Sequence, residues 1–270
     1  MKKIWWAVGI IGALLMLANS GRNKLPQPGS GEEDELYQIS LLNGLMLGDY
    51  DGTVTIGELL QKGDTGIGTF DRLDGEMIIL EGVAYKAKAD GTVEVQSDSA
   101  TSPLAMVTFF HQDIPESNLA KIADMEQLEQ VLDHLIAEKT GDFNRFYAAI
   151  ISGDFDLVHV RAFAAQTKPY RPLAQLTSRE HYYQKLAGTI VALRYPVYEE
   201  GVGVPGWHMH FLSADKSKGG HLFGLKLVRG SVSMDEIREF ELVVPDTPEF
   251  GKLNLGADLH QETLKVEVKR

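Results

Sequence analysis

The segment Trp207-His208-Met209-His210-Phe211 is followed, after a polar run ending in Gly219-Gly220, by His221. On an extended strand, side chains two residues apart share a face, so His208 and His210 stand side by side. Residues 216–220 read as a turn, and His221 opens the returning segment 222–228. A hairpin of this kind sets three imidazoles on one face. Three neutral ring nitrogens with a coordination position left open suit a catalytic divalent metal, usually zinc. One histidine on a half-buried strand is most simply an ordinary polar residue. Three of the chain's eight on one hairpin face favour the metal.

A metal held this way needs carboxylates or an arginine beside it before it can do chemistry. Asp74-Gly75-Glu76 puts a carboxylate at the start of a strand-like stretch, and Arg161 interrupts an apolar one between Val160 and Ala162. Taken alone, an arginine there is a surface strand charge, and the many Asp and Glu leave the choice of carboxylate open. Other chemistries fit poorly. A cupin places a Glu about four residues after its His-x-His pair, where this chain has Ala214, and its third His lies farther away. The His-Glu-x-x-His of a zincin and the Gly-x-Ser-x-Gly elbow are absent, and with no Cys there is no thiol nucleophile.

The elements that must carry these residues divide near Thr140-Gly141-Asp142. Before that point the chain reads as mixed α/β. Thr55-Ile56-Gly57-Glu58 has the pattern of a capping box opening a short helix. Gly63, Gly66 and Gly68 suggest a tight backbone crossing, because the Lys-Ser/Thr of a phosphate loop is missing. Strand-like stretches 76–80, 83–87 and 92–96 are broken by Glu81-Gly82 and Asp90-Gly91 turns, and 105–110 reads as a buried strand. Apolar residues spaced by three and four from Ser117 to Lys139 predict the one long helix. From Phe143 onward the pattern is all β, with strands 146–151 and 155–162 expected to flank a Ser152-Gly153-Asp154 turn.

Composition narrows the setting. The chain has 270 residues, 44% of them hydrophobic, enough for a sizeable core and two domains. A net charge of −12 without a basic stripe argues against nucleic acid. Lys2-Lys3, an apolar run over residues 4–18 and Ala18-Asn19-Ser20 form a secretory signal pattern over 1–20. The run is short for a membrane span, so a cleaved signal is favoured over an anchor touching the membrane through residues 4–18. Residues 21–35, Pro/Gly-rich and then acidic, read as a flexible tether. The protein is therefore expected outside the cytoplasmic membrane, periplasmic or extracellular, without disulfides. The residues alone reach an exported tri-histidine metalloenzyme.

At this point the chain resembles the α-acetolactate decarboxylase family, from about Leu41 to the C-terminus. The resemblance rests on Gly63-Asp64-Thr65-Gly66-Ile67-Gly68-Thr69-Phe70, Leu73-Asp74-Gly75-Glu76, Lys168-Pro169-Tyr170, Gly188-Thr189-Ile190-Val191, and the histidine hairpin. It implies an α+β fold in two domains, a mixed-sheet N-terminal domain (36–142) with helices and an antiparallel, barrel-like C-terminal domain (143–270). It implies a homodimer and zinc held by His208, His210 and His221. By the same resemblance Glu76, Arg161 and Thr69 lie at the active site, joined by a C-terminal glutamate, Glu267 or else Glu262. The implied reaction is decarboxylation of 2-acetolactate to acetoin and CO2, with no organic cofactor. Three positions depart from the family pattern: Ile150 replaces an Arg, Leu104 a Phe and Lys62 a His. The competing reading is an exported metal-binding β-domain with lost or altered activity.

Overall fold

A computed structural model describes residues 34–267, so the expected signal, the apolar run 4–18 and nearly all of the expected tether lie outside the described residues. The architecture is α+β and mostly strand. A seven-stranded sheet runs in the order β14–β1–β8–β3–β4–β5–β6. Its members are β1 (Glu35–Ile39), β3 (Thr65–Thr69), β4 (Glu76–Leu80), β5 (Val83–Ala87), β6 (Val93–Val95), β8 (Ala105–Thr108) and β14 (Glu239–Val243). A second sheet contains β9 (Ile114–Ile122), β10 (Phe146–Ala162), β11 (Arg179–Tyr195), β12 (Gly206–Ser213) and β13 (Gly219–Ile237). Its order is β10–β11–β12–β13–β9, and β10 also pairs with β13, so β10 to β13 pair in a cycle. β2 (Val54–Thr55) and β7 (Thr101–Ser102) form a small ribbon. The helices are α1 (Leu42–Met46), α2 (Ile56–Leu59), α3 (Met125–Lys139) and α4 (His260–Glu267). β9 joins the second sheet ahead of residue 142, and β14 returns to the first sheet parallel to β1.

One apolar layer joins the two sheets. It combines Ile67, Ile78 and Met106 of the first with Ala148, Val191 and Leu193 of the second. A separate core lies on the other face of the second sheet, where Leu128, Leu132 and Ile136 of α3 meet Trp207, Met209 and Phe211. Alternation along β12 follows: Trp207, Met209 and Phe211 point to that core, and His208 and His210 to the opposite face.

Several local expectations hold. Thr55 and Glu58 form the capping box, with the Glu58 N–H donating to Thr55 Oγ1 at 3.2 Å and the Thr55 N–H to Glu58 Oε2 at 2.8 Å. The glycines of β3 permit a close crossing, since a Cβ on Gly66 would meet the Met106 carbonyl at 2.2 Å.

Three expectations fail, each for a physical reason. The helix predicted from Ser117 starts only at Met125, capped by Asp124, whose carboxylate accepts from the Gln127 N–H at 2.8 Å. Leu119 and Ile122 belong to β9 instead, where Lys121 at φ 57° interrupts the strand alternation and leaves a three-residue spacing that mimics a helix. The expected turn at Ser152-Gly153-Asp154 does not exist, and β10 runs unbroken through it. Gly153 faces Gly188 on one neighbour and Gly230 on the other, and a Cβ there would meet the Arg229 carbonyl at 2.4 Å. That glycine marks close approach of three backbones. Finally, the C-terminal half is not all β, because the chain's last described residues form α4.

Candidate metal and catalytic site

Register in the second sheet lines up the key residues. His210 of β12 sits directly opposite His221 of β13, and His221 sits opposite Arg161 of β10. One cross-strand row therefore runs His210–His221–Arg161, with His208 two residues from His210 on the same face. β13 can pair with both neighbours here only because Gly220 adopts φ 146°; a Cβ on it would meet the Arg161 carbonyl at 2.6 Å. This is the structural reason for glycine immediately before the third histidine.

The row faces β4 of the first sheet. His210 Nδ1 lies 2.7 Å from the Met77 carbonyl, which can only accept. The ring proton is thereby assigned to Nδ1, and the Nε2 lone pair points inward. In the same way His221 Nε2 donates to the Glu267 carbonyl at 3.2 Å, which frees Nδ1. His208 Nε2 lies 3.0 Å from His221 Nδ1. The ligand atoms of the three residues fall within 4.8 Å of one another. Burial pushes His208 down to about 3, with the Arg161 charge adding to the effect, and pushes His210 and His221 well below the usual imidazole range. All three rings are therefore neutral near pH 7, as metal ligation requires.

A divalent metal fits this constellation on two grounds. His210 Nε2 is buried without any hydrogen-bond partner, an expensive state for a polar atom unless it has a ligand. Nitrogens of a tetrahedral zinc are about 3.3 Å apart for bonds of 2.0–2.1 Å, near the His208–His221 separation.

The charged groups beside these histidines are Arg161, Glu76 and Glu267. Arg161 is 3% exposed, so the surface-charge expectation from its neighbours fails. Its Nη1 donates to Glu76 Oε1 at 2.8 Å and its Nη2 to Glu267 Oε1 at 3.0 Å, while its buried Nε has no partner. Phe163 and Phe223 hold the guanidinium, with ring centres 4.7 and 5.4 Å away. Glu76 Oε2 approaches His210 Nε2 to 3.8 Å, and Glu267 Oε2 lies 3.7 Å from His208 Nε2 and 3.6 Å from His221 Nδ1. Burial raises Glu76 to about 7, opposed by Arg161 and reinforced by Glu267. Thr69 stands opposite Glu76 across β3 and β4, and its hydroxyl donates to the Gly75 carbonyl at 2.7 Å, bracing the turn that presents Glu76. α4 delivers Glu267, whereas Glu262 on the same helix is exposed.

Thr69, Glu76, Arg161, His208, His210 and Glu267 line one cavity of about 30 Å³. A larger space of about 410 Å³ reaches His208, His221 and Glu267 from the side of α3. Among the three departures, only Leu104 touches the small cavity. Ile150 packs against the apolar layer, and Lys62 pairs with Glu241 at 2.6 Å. Lys168 and Tyr170 are both tied to Asp51, outside the cavity lining. Reading the residues alone missed Phe163 and Phe223. Each follows a site residue by two positions, so strand alternation was the available signal.

Comparison with known proteins bears on this arrangement directly. Residues 36–257 match the family model described as alpha-acetolactate decarboxylase. The chain belongs to the α-acetolactate decarboxylase family. It is 37% identical to the alpha-acetolactate decarboxylase of Methanosarcina mazei, over 91% of this chain and 84% of that protein. The same identity relates it to the Methylococcus capsulatus protein of that name, over 88% of this chain and 89% of the other. The crystal structure of the Bacillus subtilis strain 168 alpha-acetolactate decarboxylase superposes with a TM-score of 0.82 at 31% identity, covering 86% of this chain and 99% of that one. Proteins carrying this family's name are carboxy-lyases, and the α+β fold is theirs.

Proposed function

We propose that this protein converts 2-acetolactate to acetoin and CO2, with zinc held by His208, His210 and His221. The observation that carries the reading is the meeting of three neutral histidines with a buried Arg161–Glu76–Glu267 cluster, all but His221 lining one small cavity. The bound metal would act as a Lewis acid toward the substrate's ketone and hydroxyl oxygens, contributing several kcal/mol to stabilising charge that develops as CO2 leaves. Arg161 attracts the substrate carboxylate into the cavity and orients it, its unpartnered Nε–H being free to donate. Phe163 and Phe223 flank that guanidinium and shield it from water. Loss of CO2 leaves an enediolate that must take a proton on carbon. Glu76, whose carboxyl holds a proton near neutral pH, is positioned to deliver it, with Glu267 facing it across Arg161. Delivery from one fixed side gives one acetoin enantiomer. Thr69 keeps the Glu76 turn in place.

The same proposal includes export directed by residues 1–20, a tether leading from residue 21 to β1, a homodimer, and two domains of which the second is barrel-like through the β10–β13 cycle. The reading as a metal-binding domain without activity drew on Ile150 alone, and Ile150 packs in the apolar layer. The test is metal analysis of the purified protein together with an acetoin assay on racemic acetolactate. About one zinc per chain and a single product enantiomer are expected. Metal-free protein that forms acetoin at full rate would refute the zinc assignment, and fully metallated protein that forms none would refute the activity.

A further inference from the structure

The small cavity has two unlike walls. One is polar, formed by His208, His210, Thr69, Glu76, Arg161 and Glu267; the other is apolar and includes Leu42, Leu45, Leu104 and Met106. 2-Acetolactate, the substrate proposed above, is a 2-alkyl-2-hydroxy-3-oxo acid and divides in the same way. Its carboxylate, hydroxyl and ketone belong on the polar wall, which leaves only alkyl groups for the other. At about 30 Å³ the enclosed space holds one or two waters, so binding must displace part of the apolar wall.

The wall's members are held by different parts of the fold. Leu42 and Leu45 sit on the five-residue α1, whose Leu42 and Asn43 N–H groups donate to the Val202 and Gly201 carbonyls at 2.9 Å. Leu104 is pinned at its backbone. Its carbonyl accepts the Thr69 N–H at 3.0 Å, the following Ala105 pairs with Gly68, and Ser102 donates to the Thr69 carbonyl at 2.7 Å. Gly68 allows this approach, because a Cβ there would meet the Leu104 carbonyl at 2.5 Å. The Leu104 side chain therefore projects from a backbone locked to the strand that carries Thr69, and it is 5% exposed. A wall that cannot retreat sets a size limit.

Resting on the decarboxylase reading, we propose that Leu104 determines how large a 2-alkyl group the site accepts. One methylene in an apolar pocket changes kcat/KM by about 10- to 200-fold. The experiment compares 2-acetolactate with its 2-ethyl homologue in wild type, Leu104→Phe, Leu104→Val and Leu104→Ala, with thermal melts and metal content checked for each. The ethyl-to-methyl ratio of kcat/KM should fall at least tenfold in Leu104→Phe and rise in Leu104→Val and Leu104→Ala. If Leu104→Phe does not fold, the two smaller variants decide the matter by the sign of the change. Ratios within twofold of wild type in every folded, metallated variant overturn the assignment while leaving the activity standing. Failure of wild type to decarboxylate the methyl substrate refutes the activity and this inference together.

Discussion

Asp235 offers a quantitative test of how the second sheet is built. It lies on β13 with no solvent exposure, and one oxygen accepts the His111 N–H at 3.0 Å while the other has no partner. Burial, only partly offset by that hydrogen bond, pushes its carboxyl from an ordinary 3.8 up to about 7. The native state therefore binds this proton more tightly than the unfolded chain does. The resulting stability is fully present below about pH 3.8 and is lost as pH rises through about 7. At about 1.36 kcal/mol per unit, the loss is roughly 1.5 kcal/mol at pH 5 and roughly 4 kcal/mol at pH 8. Asp235→Asn removes the titration but keeps an oxygen for the His111 N–H. The stability difference between variant and wild type should therefore move in the variant's favour by about 2.5 kcal/mol between pH 5 and pH 8. Urea unfolding of both proteins at unit pH steps measures it, and matched m-values show that the same transition is being compared. A difference that stays constant across that range would mean that Asp235 is solvated or paired, and the argument from burial would be wrong.

Other perturbations address the site. His208→Ala, His210→Ala or His221→Ala should each weaken zinc binding by at least 10- to 100-fold, the cost of losing even an outer partner of a ligand; stoichiometric metal in any purified variant would remove that residue from the ligand set. Arg161→Ala should retain metal yet lose about 10²–10³-fold in kcat/KM, the scale of deleting one well-placed charge-stabilising donor. Normal turnover by that variant would exclude the guanidinium from substrate binding. Glu76→Gln keeps the Arg161 contact and removes the acid, so acetoin should form slowly or with reduced enantiomeric purity; wild-type rate and purity would assign the proton to another group.

The histidine motif was legible because strand alternation is a local rule: His208 and His210 share a face by spacing alone, and a glycine-rich turn returns His221 toward them. Thr55 and Glu58 declared their capping box for the same reason, since both partners lie within one helical turn. Local patterns also misled. Gly153 looked like a turn because nothing nearby in the chain announces Gly188 and Gly230, the neighbours whose backbones require it. Leu119 and Ile122 imitated a helix because one positive-φ residue shifts the phase of a strand. Arg161 is the sharpest case. Its flanking residues describe a surface charge, and only the resemblance to a family gave it a place at the active site. Tertiary structure made it the hub of the site, by aligning it with His221 across one strand pair and bringing Glu76 from 85 residues away and Glu267 from 106. Glu267 lies beside Arg161 and Glu262 faces solvent because of which side of α4 meets the sheet. Spacing encodes which residues share a face. Which faces meet depends on long-range register and burial, and those are properties of the packed chain.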